Sequence, residues 1–378
     1  MREAIVVGAG IGGLAAAKGL VDAGWRVTVL EEDPGLRESG SGVVLTANGL
    51  AALDALGLGD AVRAVGVEAL PLGVRTAQGT PLQRGAEFAS SALTGIHRTT
   101  LHRILAEGAK DAEVVTGAHV ARVHPGRRPR VTVVEGGEQR ERVADLVVGA
   151  DGIDSLVRSA VRADLPTDVV GATCWRGVVA RQPDSPAGSL QWFGAGTEVG
   201  LVPIDGDRLY WFVAARARAG RTARDEHAAA GEATRGFEAV VRDHVGATQE
   251  SAVLRHDLRY LPTGLRSYVA PGIALLGDAA HAMLPTTGQG AASALEDAAT
   301  LGVLAARDDV DDALEAYDRL RRPRTQRLQR LSHRLYRSGL EVRNPVLAAA
   351  RNGILQLAPT LAAEIAADWM LRWSPPRR

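Results

Sequence analysis

Residues 4–31 read AIVVGAGIGGLAAAKGLVDAGWRVTVLE, and this stretch decides the fold. Ala4-Ile5-Val6-Val7 is a short apolar, β-branched run, the pattern of a buried parallel strand. It leads into Gly8-Ala9-Gly10-Ile11-Gly12-Gly13 and then a helical stretch, Leu14–Ala23. A second strand, Val27–Leu30, ends at Glu31. In such a unit Gly8 makes the tight turn, Gly10 lets backbone approach a pyrophosphate, and Gly13 lets helix and strand pack closely. Glu31 lies 23 residues beyond Gly8, where an acid accepts ribose hydroxyls. Strand, glycines, helix and acid in register predict a Rossmann-type dinucleotide-binding unit in an α/β fold.

Two later segments add to it. Residues 277–298 read GDAAHAMLPTTGQGAASALEDA. Asp278 offers a carboxylate to sugar-like hydroxyls, and Gly288 and Gly290 let backbone N–H groups approach a ring. The helix opening near Ala291 turns its positive end toward whatever sits there. Earlier, a buried strand at Leu146–Val148 breaks at Gly149-Ala150-Asp151-Gly152, and Asp154 or Ser155 is suited to cap the helix that follows. Alone, that second segment reads as an ordinary strand-to-helix turn with a capping acid.

Taken in this order, the three motifs resemble those of the single-component FAD-dependent aromatic hydroxylases, the monooxygenases related to p-hydroxybenzoate and salicylate hydroxylases. The resemblance spans roughly residues 1–335. It implies that Glu31 holds the adenosine ribose and Asp278 the pyrophosphate–ribityl region. Backbone at Gly290 and Ala291 would lie beside the flavin pyrimidine edge, and Pro285 in a loop lining the reactive face. Arg98, in His97-Arg98-Thr99-Thr100-Leu101-His102, matches an arginine that contacts FAD. His102 stands where relatives often carry Gln or Arg, which leaves its own contact open. Asp151 is implied near the FAD pyrophosphate and in NAD(P)H positioning.

The implied cofactor is FAD, with NADPH or NADH as co-substrate and O2 as oxidant. The implied activity is hydroxylation of a small aromatic or heteroaromatic compound through a flavin hydroperoxide. Epoxidation or another olefin oxidation shares every motif, and an FAD-binding protein without turnover is the alternative from a different class. Halogenation is disfavoured, because Cys174-Trp175-Arg176-Gly177 does not match the Trp-x-Trp-x-Ile-Pro motif of that branch.

Composition bounds the rest. At 378 residues the chain suits two interleaved domains, and zero net charge favours neither nucleic acid nor an anionic membrane. A single cysteine excludes an internal disulfide and suits a reducing cytoplasm. The first strand begins at once, so no leader is expected, and no apolar run reaches membrane-spanning length. Histidine and cysteine spacing suggests no metal site. A monomer or homodimer is expected.

The FAD-binding domain is expected over residues 1–70, 97–165 and 270–335, and a mostly antiparallel substrate domain over 71–96 and 166–269. Within the latter, Cys174–Ala180, Leu190–Phe193, Val199–Ile204 and Leu209–Ala215 read as strands, the last three forming a meander. Residues 222–248 read as one charged helix. Candidates for the substrate cavity are Trp175, Arg176, Gln191, Phe193, Glu198, Leu201, Pro203, Tyr210 and Phe212. Alternation lets only about half of them face it. Tyr210, whose hydroxyl suits a substrate phenol, Arg176 and Pro285 are the candidate catalytic residues; Gln191, Glu198, Leu201 and Phe212 are the candidate substrate contacts. The C-terminal helices, 336–378, carry apolar residues at helical spacing (Val346, Leu347, Ile354, Leu357, Leu361, Ile365, Trp369) and are expected to pack on the body.

Overall fold

The computed structural model describes residues 1–36, 40–85, 93–162, 165–220, 222–357 and 368–377. Glu3–Val7 is the centre of a six-stranded sheet, flanked by Leu146–Gly149 and Ile273–Leu275 on one side and by Arg26–Glu31 and Glu113–Thr116 on the other, all parallel. A short antiparallel strand, Val269–Ala270, closes one edge. Ala4, Ile5, Val6, Val7, Val147 and Val148 are all buried, as strands covered on both faces require. The helix Ile11–Asp22 packs along Gly290–Leu304 so closely that a Cβ on Gly302 would fall 2.8 Å from the Gly19 Cα. Two motifs far apart in sequence are thereby locked side by side.

The second large sheet has seven strands in the order Leu254–Tyr260, Asp168–Ala180, Arg208–Arg216, Thr197–Ile204, Ser189–Phe193, Pro71–Thr76 and Pro81–Arg84. Its pairings are antiparallel except for Ser189–Phe193 with Pro71–Thr76. The expected meander is present, with each strand a residue or two longer than the sequence suggested. One face carries Trp175, Leu190, Trp192, Val199, Leu201, Trp211 and Val213 into an apolar cluster. Two small antiparallel sheets complete the architecture. One joins Gly42–Leu45, Leu93–His97 and Val67–Ala69, and the other Ala118–His124, Arg130–Glu135 and Glu138–Val143.

Two expectations are corrected. Residues 222–248 form two helices, Glu226–Ala233 and Ala239–Gly246, instead of one. The break lets Phe237 join Ala230, Val241 and Val245 against the sheet, which a straight helix would not allow. Asp225 caps the first helix through the Ala228 N–H. In the C-terminal region, Pro345–Leu357 is helical, but Val346, Leu347, Ile354 and Leu357 are exposed and Ala348 is its buried residue. Polar contacts hold it instead: Arg351 donates to the carbonyls of Gly339 and Gly194. Leu361 and Ile365 lie outside the described residues. Farther on, Arg327 lies over the Trp369 ring and Arg324 donates to the Trp369 and Met370 carbonyls.

Candidate active site

The N-terminal glycines divide into those that pack and those that face open space. Gly8 takes φ +98°, and a Cβ there would meet the Ala150 carbonyl oxygen at 2.6 Å. A Cβ on Gly13 would fall 1.9 Å from the Gly8 oxygen, and one on Gly12 would meet Leu276 at 2.7 Å. Gly10 has nothing within 4 Å in that direction. It precedes the helix Ile11–Asp22 with no side-chain cap, so the N–H groups of the first turn stay available to an anion. Glu31 accepts from the Ala9 N–H at 2.7 Å and the Asp33 N–H at 2.9 Å. His102, buried, puts Nε2 2.8 Å from the Ala9 carbonyl, so it braces the same loop.

Asp151 is turned back on its own loop. It accepts from Ser155 Oγ and from the Leu156 and Val157 N–H groups, so it caps the short helix Val157–Val161. Of the two expected capping residues, Ser155 shares this work, its Oγ accepting from the Arg158 N–H, while Asp154 pairs with Arg259 at 2.5 Å. Burial pushes the Asp151 carboxyl up from its ordinary range, and those hydrogen bonds pull the other way.

Asp278 heads the short helix Asp278–His281, exposed itself but flanked by the buried Gly277 and Ala279. The surrounding protein pushes its carboxyl above the usual range, against the pull of His281, Arg98, Arg158 and Arg176. Arg98 begins the helix Arg98–Gly108, whose N-terminus is tied to the seven-stranded sheet. Asp205 there accepts from the His97 N–H and the Thr100 hydroxyl. Past Asp278, the Pro285–Thr287 turn ends at Gly288 with φ +64°, and the helix Gly290–Leu304 starts without a side-chain cap. Neither Gly288 nor Gly290 has anything within 4 Å where a Cβ would project.

Beneath this turn lies a buried charge network that sequence reading missed. Asp297 accepts from the Gly277 N–H at 3.0 Å, His281 Nε2 at 2.5 Å and Arg321 Nε at 2.6 Å. Glu296 accepts from Asn48, Arg321 and Arg324, and Asn48 also reaches Gln289 at 2.8 Å. Burial alone would raise the Asp297 carboxyl, but His281 and Arg321 outweigh it and hold it below its ordinary value. The signal was present: adjacent acids in an Ala-rich helix that is buried all round require cations.

Between the Pro285–Gly288 turn and the free face of the seven-stranded sheet is a cavity of about 270 Å³. The register builds its floor in rows. Cys174, Ala214 and Glu198 sit opposite one another on three adjacent strands, as do Arg176, Phe212 and Gly200, with Gln191 beyond Gly200. Tyr210 lies one row further, opposite Val178 and Val202. The strand Gly42–Leu45 with Thr46 forms a wall, its Gly42 so near the Tyr210 ring that a Cβ would be 2.3 Å away. Leu258, Leu340 and Ala291 complete the enclosure.

Of the cavity candidates, Arg176, Gln191, Glu198, Tyr210, Phe212 and Pro285 converge there. Leu201 does not: its position in the alternation turns it to the opposite face, where it is fully buried with Trp175 and Trp211. Trp175 donates Nε1 to Glu226 on that far side, and Phe193 stacks under Arg351. Pro203 is absent from the lining; its carbonyl backs onto Gly95 instead. The wall at Gly42–Thr46 had not been expected.

The charges are unevenly placed. Arg176 stays protonated, favoured by Cys174, Tyr210 and Asp278 against the cost of burial. Burial pushes the Tyr210 phenol up to about 12 despite Arg176, so it is a neutral hydrogen-bonding group. Burial also lifts the Glu198 carboxyl to about 7, with Arg351 pulling it down.

Residues 1–332 match the family model described as an FAD binding domain. The chain is 32% identical over 326 residues to aurachin C monooxygenase/isomerase of Stigmatella aurantiaca, covering 84% of each. It is 36% identical over 340 residues to 3-amino-4-hydroxybenzoate 2-monooxygenase of Streptomyces cremeus, covering 84% of this chain and 82% of that one. Among solved structures, HpxO of Klebsiella pneumoniae complexed with FAD and uric acid superposes with a TM-score of 0.87 at 25% identity, covering 98% and 97% of the two chains.

Proposed function

The chain belongs to the FAD binding domain family, whose curated members related to it are FAD-dependent aromatic monooxygenases, and from that premise we propose how its residues divide the work. FAD is held by the loop Gly8–Gly13, by Glu31, Arg98 and Asp278, and by the turn Gly288–Ala291. The substrate is a small aromatic or heteroaromatic molecule bound over Arg176, Gln191, Glu198, Tyr210 and Phe212. Relatives named for 3-amino-4-hydroxybenzoate and a neighbour holding uric acid support that class.

The carrying observation is the pairing of open glycines with an enclosed cavity. Gly10, Gly288 and Gly290 offer backbone to empty space, and the cavity of about 270 Å³ meets that space at Pro285–Gly288. When bound, FAD takes electrons from NAD(P)H and activates O2 for transfer of one oxygen atom. The uncapped start of Gly290–Leu304 directs positive potential at that end of the chamber. Apolar Val43, Val44, Leu258 and Leu340 keep water out. Tyr210 and Arg176 orient a phenol or carbonyl oxygen. Asp151 acts on the pyrophosphate side through the loop it caps. The division into an FAD-binding part (1–70, 97–165, 270–335) and a substrate-binding part belongs to the same reading, as do a cytoplasmic setting and a monomer or homodimer.

Purified protein carrying FAD should oxidise NAD(P)H slowly alone and faster with a suitable aromatic compound, yielding a product heavier by one oxygen atom drawn from labelled O2. Stable FAD binding without acceleration across a broad aromatic panel would favour a binding protein without turnover. Mapping the oxygen to a ring carbon or to an epoxide separates hydroxylation from olefin oxidation.

A further inference from the structure

Glu198 is a chamber-facing carboxylate to which no described residue donates a hydrogen bond. It projects from Thr197–Ile204 beside the small Ala214, and it is half-buried. The cation acting on it, Arg351, is committed elsewhere: to the Gly339 and Gly194 carbonyls at 3.1 and 3.2 Å, to Asn352, and to the face of Phe193. No salt bridge joins Arg351 to Glu198 among the described residues. A carboxylate partly shielded from water and given no protein donor turns its acceptor oxygens toward whatever fills the chamber, so a ligand N–H or O–H suits it.

The register fixes what spans the chamber. Glu198 and Arg176 lie on strands separated by Arg208–Arg216, so their backbones stand about two strand spacings, roughly 10 Å, apart across the sheet. Between them are Ala214, Phe212 and Gly200, an apolar strip that suits a flat ring. At one edge is a cation; at the other, an acceptor.

We propose that Glu198 is the specificity-determining residue of this chamber. It accepts a hydrogen bond from an N–H or O–H attached to the substrate ring, while Arg176 receives an acceptor at the ring's other end. The ligand class is therefore a small aromatic with a donor at one end and a carbonyl, phenolate or carboxylate at the other. This deepens the monooxygenase reading and rests on it. The groups facing Glu198 are Arg351 from the C-terminal helix and Cys174 on the floor, with Arg176 and Tyr210 across the chamber. Cys174 is itself driven toward its neutral form by burial, and Tyr210 likewise. The carboxyl that titrates near neutral pH at this position is Glu198.

The test uses the FAD-loaded protein and two matched probes, 4(1H)-quinolone and 1-methyl-4-quinolone, with binding followed by calorimetry. Wild-type protein should bind the N–H compound about ten- to a hundredfold more tightly, the usual worth of a hydrogen bond to a charged acceptor. In Glu198→Gln that preference should shrink to a few-fold. Wild-type affinity for the N–H probe should also rise from pH 6 to 8, as the carboxyl ionises, and stay flat in Glu198→Gln. Equal binding of the two probes, no binding of the N–H probe, or undiminished discrimination in Glu198→Gln would overturn the proposal. Because discrimination is read without turnover, failure of the oxygenase reading is distinguishable: it appears as intact discrimination with no oxygenated product from any probe.

Discussion

Alanine at Gly10 and at Gly13 separates a cofactor contact from a packing contact within one loop. Gly10 has φ −68° and ψ −177°, an extended conformation alanine adopts freely, and its Cβ would meet nothing within 4 Å. Reduced unfolded-chain entropy favours the alanine by about 0.4–1 kcal/mol, and loss of a glycine N-cap costs a similar amount. Gly10→Ala should therefore leave the apo protein within about 1 kcal/mol of wild type. A methyl in the proposed pyrophosphate path should weaken FAD binding at least tenfold, about 1.4 kcal/mol. Gly13→Ala differs, because its Cβ would stand 1.9 Å from the Gly8 oxygen. More than 1 Å of backbone shift is needed to restore contact distance, and overpacking of that kind costs roughly 1–3 kcal/mol or more. It should lower apo stability and FAD affinity together. Thermal denaturation of the apo proteins, alongside FAD titration by fluorescence quenching, reads both quantities. Wild-type FAD affinity in Gly10→Ala, or apo destabilisation of Gly10→Ala equal to that of Gly13→Ala, would refute the reasoning.

Leu201→Ala empties a fully buried position on the far face of the sheet, so urea denaturation should show a loss of about 2–5 kcal/mol with unchanged quinolone affinity. Asp297→Asn leaves Arg321 short of a buried partner and should cost about 3 kcal/mol or more by the same assay. The Asp297 carboxyl is held below its ordinary value, so its stabilisation is complete above about pH 4 and lost as pH falls through the folded value. Acid denaturation of Asp297→Asn should accordingly be less steep over that range. Glu198 has the opposite sign: its folded value of about 7 exceeds the ordinary 4.5, so the apo protein loses stability as pH rises between them. Melting curves of Glu198→Gln should gain on wild type from pH 5 to pH 8, and a difference that stays constant or moves in favour of wild type over that range would contradict the raised value of that carboxyl.

What the sequence by itself determined was local: the strand-glycine-helix-acid order at residues 4–31, the Gly-Asp and Gly-rich turn at 277–290, and the alternating strands of the meander. Each depends on spacing within a few residues, through backbone conformations only glycine takes and side chains that alternate along a strand. The tertiary structure decided the rest. Which half of the alternation faces the chamber depends on what covers each side of the sheet, and this turned Leu201 away and Glu198 inward. The single helix expected at 222–248 broke so that Phe237 could reach that covered side. The resemblance implies Asp151 near the cofactor, and the tertiary structure shows its carboxylate capping its own loop, as a bare strand-to-helix turn would have it. The chamber wall at Gly42–Thr46 and the network of Asn48, Glu296, Asp297 and Arg321 join residues more than 200 positions apart. Local pattern carries no information about such pairs; they exist because two buried acids in one helix can be satisfied only by what the fold brings against them.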